Sequence, residues 1–202
     1  MDEPIEKLVS AFLRFPGIGP RQARRFVYYL LAQNAGIVEN LAKDLLELKK
    51  QINQCQNCYR FFVGTKSKIN GVCDFCQDPT RDLSTLMVVE KDTDLEVVRK
   101  SGQYAGQFFI LGGLVPILEP EPEKRIRARE LRARLKSNQG QLKEIIIALA
   151  ANAEGDNTTD YLQKILTPAG LKISVLGRGL STGTELEYSD AATLKNALKN
   201  RA

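Results

Sequence analysis

Hydrophobic positions in the first fifty residues recur at helical intervals. Leu8, Phe12 and Phe15 mark one face, a second periodic run spans residues 22–33 and a third spans 41–48, which together predict three helices. Between the first two stands Phe15-Pro16-Gly17-Ile18-Gly19-Pro20. Two glycines and two prolines cannot continue a helix, so a tight turn is expected there. From residue 84 the period changes. Apolar runs at 85–90, 108–111, 144–149 and 172–176 alternate with helix-like segments at 94–100, 121–136, 158–166 and 190–199. That alternation is the pattern of βαβ units around a mainly parallel sheet. Residues 51–80 follow neither period: aliphatics are few, turn formers recur (Gly64, Asn70-Gly71, Asp78-Pro79), and all four cysteines fall within the segment. A module this small needs a staple. The chain therefore reads as a multi-domain α/β protein in four parts: a helical region 1–53, a cysteine module 54–80, a sheet domain 81–176 with flanking helices, and a C-terminal strand-and-helix segment 177–202.

Composition narrows the function classes. With 43% hydrophobic and 26% charged residues the chain has the balance of a soluble folded protein. It has no apolar run of the roughly 20 residues needed to span a bilayer, and the acidic opening MDEPIEKLVS lacks the order of a secretory signal. A cytoplasmic protein without a membrane partner is expected. The 29 basic residues outnumber the 24 acidic ones, giving a net charge of +5 and a mild tilt toward a polyanionic partner. The count of His is zero. That removes Ser-His triads, imidazole general acid–base catalysis and His-containing metal sites together, and points away from an enzyme.

Cys55-x2-Cys58 and Cys73-x2-Cys76 form two knuckles with fourteen residues between them. Each Cys-x2-Cys turn aims two thiolates at one point, and two such turns complete a tetrahedral sulfur site for a structural zinc ion, one per chain. A mononuclear iron site shares the ligand pattern, and two disulfides are the remaining alternative, which a cytoplasmic setting opposes. Tyr59, Phe61, Phe62 and Phe75 are expected to pack around the module rather than stack on bases.

The N-terminal turn carries the second candidate site. Gly17 and Gly19 permit close backbone approach, and a helix beginning near Pro20 points free N–H groups outward, which suits a phosphate. Arg21 and Arg25, at i and i+4, share one face of that helix, with Arg24 beside them. The stretch resembles a helix-hairpin-helix, a motif that holds the DNA backbone without reading sequence. The alternative is a helical corner with solvated arginines.

A third candidate is the run 119–136, EPEPEKRIRARELRARLK. As one helix after a proline-containing start, it places Ala128, Leu131 and Leu135 on an apolar stripe. Arg125, Arg129, Arg132 and Lys136 then form a basic one, either along a DNA channel or as a solvated outer face.

Acids fall where a parallel sheet gathers ligands, at the carboxyl ends of strands. Glu90 follows the first sheet strand, Asp92 and Asp94 open the next helix, and Glu154-Gly155-Asp156 follows a later strand. This part resembles a Toprim domain, the fold of type IA and II topoisomerases, primases and some nucleases. Glu90 matches the first acid of that fold. The Asp-x-Asp pair is missing, because Ala150-Ala151-Asn152-Ala153-Glu154-Gly155-Asp156 stands in its place. Metal-assisted phosphoryl chemistry needs several carboxylates held together, so helix capping or partner contact is the favoured role for these acids.

Helix-hairpin-helix, four-cysteine finger and degenerate Toprim domain, in that order, resemble the RecR family of recombination mediators along essentially the whole chain. Further matching stretches are Gly102-Gln103-Tyr104-x-Gly106, Phe109-Ile110-Leu111-Gly112-Gly113, Glu154-Gly155-Asp156-x-Thr158, Gly177-Arg178-Gly179-Leu180 and Gly183-x-Glu185-Leu186-Glu187-Tyr188. The resemblance implies a non-catalytic homo-oligomer, a dimer or tetrameric ring, that clamps DNA and acts with RecO or RecF to help RecA displace single-strand-binding protein at gaps. It assigns DNA contact to Arg21 and Arg25, to which the reading of the turn itself adds Gly17, Gly19 and Arg24, and partner contact to Glu90, Asp94 and Glu154. A magnesium-dependent Toprim nuclease or topoisomerase is the rival. The chain departs from the family's common form after Leu114, where residues 115–124 read VPILEPEPEK.

Overall fold

The structure, a computed structural model, describes residues 3–64, 71–137, 140–180, 183 and 185–199; Asn70 of the Asn70-Gly71 turn lies outside them. It divides into two compact units, residues 1–52 and 53–202.

In the first unit, α1 (Glu3–Phe12) and α2 (Pro20–Leu31) pack around Val9, Ala23 and Val27, with Ile5, Phe12 and Ile18 partly buried beside them. Leu8 and Phe15 were expected on the buried face and are instead exposed, Phe15 by 58%. The face that meets α2 runs Ile5, Val9, Phe12, an i, i+4, i+7 spacing. Phe15 lies beyond the last helical turn, where the period no longer applies. The third helix, α3 (Ala35–Gln51), starts at Asn34, whose side chain accepts the Ile37 N–H at 3.0 Å. No residue of α3 is buried, and Ile37, Val38, Leu41, Leu45, Leu46 and Leu48 are all exposed.

A short ribbon of β1 (Ile52–Gln54) and β2 (Phe61–Val63) frames the first cysteine knuckle, and the second opens α4 (Asp74–Gln77). The sheet follows. Strand β3 (Asp82–Val89) leads to α5 (Asp92–Ser101) and β4 (Gly106–Ile110). After α6 (Pro122–Arg125) and α7 (Ala128–Ser137), β5 (Glu144–Ala148) is followed by α8 (Ala153–Leu166) and β6 (Lys172–Val175). The order is β4-β3-β5-β6 and all three pairings are parallel, as the alternating pattern predicted. Among the described residues of 177–202 there is a 3-10 turn (Leu186–Tyr188) and α9 (Ala191–Lys199), and no strand.

Side chains alternate across the sheet and make two cores. Leu86, Val88, Phe109, Ile145 and Ile147 face α7 and α8, whose Leu131, Leu135, Leu162 and Leu166 close that side. Met87, Val89, Phe108 and Ile110 face Leu95 of α5 on the other. Because both faces are covered, the strands read as continuous apolar runs. Truncating a fully buried ring such as Phe109 to Ala would cost about 3–5 kcal/mol.

The run 121–136 is not one helix. It breaks at Ile126-Arg127, where Ile126 is extended and the Arg127 N–H turns to the Leu111 carbonyl at 2.9 Å. The break buries Ile126 in the core while Ala128, Leu131 and Leu135 form the expected stripe on α7. At the next crossover, α8 begins at Ala153, so Glu154, Gly155 and Asp156 form its first turn.

Candidate functional site

All four cysteine Sγ atoms lie within 4.8 Å of one another, with Cys55, Cys58 and Cys73 fully buried and Cys76 partly so. The Cys58 and Cys73 sulfurs are 3.6 Å apart. A tetrahedral ion with metal–sulfur bonds of about 2.3 Å requires sulfurs roughly 3.8 Å apart, so the spacing fits a metal and is far too long for a disulfide of about 2.05 Å. Local backbone sets this geometry. The Tyr59 N–H bonds the Cys55 carbonyl at 2.9 Å and the Cys73 N–H reaches the Cys55 sulfur at 3.3 Å. Tyr59, at φ 65°, is the one non-glycine residue in the left-handed region among the described residues.

The thiols titrate against one another. Hydrogen bonds from Cys58, Cys73 and Cys76 hold the Cys55 thiol well below its ordinary value. Contact with Cys55 pushes Cys58 and Cys76 up. At Cys73 the raising contact with Cys55 is outweighed by bonds from Cys58 and Cys76, and its pKa falls to about 7. Four converging sulfurs ionise together only against a shared cation, so the donor set fits a metal.

The module is bonded into the sheet domain. The Ile110 N–H donates to the Cys58 carbonyl at 2.9 Å, and the Phe61 N–H donates to Asp92 Oδ1, on the first residue of α5, at 2.8 Å. The Tyr59 ring meets Phe109 edge-on at 5.3 Å and lies 5.2 Å beneath the Arg127 guanidinium, which donates to the Ile110 carbonyl at 2.9 Å. Arg81 covers the Phe75 ring at 3.4 Å and donates to the Gly106 carbonyl. Phe62 and Phe75 thus pack as expected; Phe61 does not, its ring being 57% exposed while only its backbone is anchored. Sequence reasoning missed Arg127 altogether, because a single arginine in a charged run carries no mark of the ring it covers.

In the first unit, residues 13–19 make the turn. Gly17 has φ 77° and Gly19 caps α2 with extended backbone; nothing lies within 4 Å of a Cβ built on either. The surface there is open. Pro20 occupies the first turn, which contains no acid, and the first helical bond is Ala23 N–H to the Gly19 carbonyl at 2.9 Å. The Arg21 and Gln22 N–H groups therefore face outward without an intrahelical acceptor. Arg21 and Arg25 are exposed on one face, Arg25 touching Gln22 at 3.4 Å. Arg24 turns the other way and pairs with Glu6 of α1 at 2.9 Å. Tyr28, 57% exposed at i+7 from Arg21, continues the arginine face; an exposed aromatic at helical spacing is the signal that would have found it.

The acids of the sheet domain separate. Glu90, next after β3, and Asp94 line one mainly apolar cavity of about 280 Å³ with Val97, Val98, Leu149 and Leu176, while Glu154 is not in its lining. Asp94 accepts the Lys91 N–H at 3.2 Å and caps α5. At the α8 N-terminus the cap is Asn152, which accepts the Gly155 N–H at 2.8 Å. The end of β5 offers Ala148, Ala150 and Asn152 where carboxylates would be needed. Among the described residues, the cysteines form the one group of three or more acidic or sulfur ligands close enough to share an ion.

The basic stripe on α6 and α7 is largely neutralised. Arg125 pairs with Glu119 at 2.5 Å, and both Arg129 and Arg132 close on Glu123. Of the two roles open to this stripe, the geometry favours the solvated, ion-paired face.

Comparison with known proteins agrees with this layout. A family model described as RecR, helix-hairpin-helix matches residues 5–49, one described as Toprim domain matches 84–177, and one described as RecR, C-terminal matches 179–202. The recombination protein RecR of Lactobacillus acidophilus is 35% identical over 198 residues, covering 98% of this chain and 96% of the relative. That of Lactobacillus helveticus is also 35% identical, and that of Streptococcus pneumoniae 34%, with the same coverage. With hairpin, cysteine cluster and parallel sheet in the same order along nearly the full length, the chain belongs to the RecR family of recombination proteins.

Proposed function

We propose that this protein is a non-catalytic, sequence-independent DNA clamp of recombinational repair. It works in the cytoplasm with RecO or RecF to help load RecA at single-stranded gaps. One observation carries the reading: an open Gly17–Gly19 turn presents outward N–H groups beside the exposed guanidiniums of Arg21 and Arg25. These donors suit phosphate oxygens, which fix a protein on DNA without carrying sequence information. One such contact is weak, and a homo-oligomer, dimer or tetrameric ring, multiplies it through effective concentration. The uncovered leucines of α3 supply apolar surface for self-association. A structural zinc ion on Cys55, Cys58, Cys73 and Cys76 staples the finger, the four-sulfur set leaving no open coordination position. Glu90, Asp94 and Glu154 are the acids offered to RecO.

The rival, a magnesium-dependent nuclease or topoisomerase, has Glu90 and Asp94 in one cavity in its favour and the carboxylate-free end of β5 against it. Fluorescence anisotropy with labelled gapped duplexes of unrelated sequence tests the proposal. Equal binding to all, lost in Arg21→Ala/Arg25→Ala with an unchanged circular dichroism spectrum, is the expected result. Binding untouched by the double substitution, or plasmid cleavage with magnesium that disappears in Glu90→Ala, would overturn it.

A further inference from the structure

The loop between β4 and α6 carries an apolar point. Ile117 and Leu118 occupy the centre of a tight turn closed by the Glu119 N–H on the Pro116 carbonyl at 3.1 Å, and they are 63% and 92% exposed. Turn centres favour Gly, Pro, Asn, Asp or Ser, so two bulky aliphatics have no local reason to stand there. The turn is firmly held. The Val115 N–H donates to the buried Thr158 hydroxyl at 2.8 Å, Asn157 Nδ2 holds the Val115 and Pro116 carbonyls at 3.0 and 3.2 Å, and Glu119 is clamped by Arg125. A rigid apolar tip loses little conformational entropy when buried against a partner.

The same unit carries a hollow of matching character. Between the C-terminal ends of α7 and α8, Leu135, Leu142, Ile165, Leu166 and Leu171 line a cavity of about 300 Å³, with Lys136 at its rim. Lys136 is exposed and has no ion pair among the described residues. The tip cannot enter its own hollow. Asn157, which anchors the tip, and Ile165, which lines the hollow, are eight residues apart on α8, or about 12 Å along its axis.

We infer that the Ile117–Leu118 tip docks into the α7–α8 hollow of a second copy of this chain, reciprocally about a two-fold axis. Two α7–α8 faces laid antiparallel place each tip over the other copy's hollow, so both apolar points are covered and the contact closes on itself. Charge agrees with this pairing. Glu121, three residues past the tip and paired among the described residues with exposed Lys124, meets Lys136. The contact is small and belongs to an assembly with other interfaces, so the inference rests on the homo-oligomer reading above and names one of its surfaces.

Sedimentation across a concentration series tests it with four proteins: the parent chain, Ile117→Ser/Leu118→Ser at the tip, Ala169→Trp to fill the hollow from its exposed edge, and Lys136→Glu at the rim. Each variant should need at least tenfold more protein than the parent to reach the same assembled fraction. A 1:1 mixture of the tip variant with Ala169→Trp should assemble at lower concentration than either alone, because it retains one intact tip facing one intact hollow. Assembly of the parent with no shift in any variant, or a mixture no better than its components, overturns the docking and leaves the homo-oligomer reading intact. A parent chain that stays monomeric throughout overturns both.

Discussion

On the zinc reading proposed above, removing the ion from the cysteine cluster should unfasten one edge of the parallel sheet, far beyond the module itself. Four contacts depend on the knuckle keeping its shape: Ile110 N–H to the Cys58 carbonyl, Phe61 N–H to the Asp92 carboxylate, the Tyr59 edge on Phe109, and Arg127 over Tyr59. A neutral backbone bond contributes about 1 kcal/mol net and one to a carboxylate about 1.5–3. An aromatic pair adds about 0.5–1.5, and an exposed cation–π contact about 0.5–1. Taken together they are worth roughly 4–6 kcal/mol, a large part of the 5–15 that holds a typical domain. Apo metal modules rarely keep their conformation, so most of this is lost on chelation or in Cys58→Ser. At about 2–4 °C per kcal/mol for a domain of this size, the melting temperature should fall by roughly 10 °C or more. Hydrogen exchange locates the effect. The Ile110 and Phe61 amides should lose protection on chelation and regain it on adding back zinc, while the Ile147 amide in the sheet interior changes less. Full protection at Ile110 in metal-free protein would refute the reasoning, because the knuckle would then keep its form without an ion.

Other outcomes follow from single contacts. Arg24→Ala should weaken DNA binding less than Arg21→Ala or Arg25→Ala, because Arg24 is already engaged by Glu6; losing both free arginines should cut the log–log salt slope on duplex DNA by about 1.8 per protomer, or roughly twelvefold in affinity across a fourfold salt change. Equal losses in all three single variants would reject that order. Gly155→Ala should destabilise by about 1–3 kcal/mol in denaturant titration, since a Cβ there would lie 1.9 Å from the Ala150 carbonyl oxygen, a backbone atom that cannot swing aside. Acid should lower stability. The Arg129 bond, with Arg132 beside it, holds the Glu123 carboxyl below its usual range, and the Ser174 hydroxyl with Lys172 does the same for Glu144. A depressed folded-state pKa means the stabilisation is complete above the unfolded value of about 4.3 and is lost as pH falls through the lower folded values. Glu123→Gln should therefore flatten the acid limb of a melting-temperature profile, and an unchanged limb would count against the pairing.

The sequence by itself determined the sheet strands, the clustering of the four cysteines and the hairpin, because each is a local matter. A Cys-x2-Cys pair needs only its own turn to converge two sulfurs, a Pro16-Gly17 pair cannot extend the helix that precedes it, and strands buried on both faces announce themselves as apolar runs. Tertiary structure decided what depends on residues distant in the chain. Phe15 reads as core until α2 is seen to meet Val9 instead, and Ile126 breaks a helix-like run because Leu111, fifteen positions earlier, claims the next amide. The fate of the charged residues was equally invisible: Arg24 is spent on Glu6 and Arg132 on Glu123, while Arg21 and Lys136 stay unpaired among the described residues. Periodicity records which positions avoid water. It holds no record of which partner an exposed charge or ring will find, since that choice is made by strand order and helix placement, fixed only when the whole chain packs.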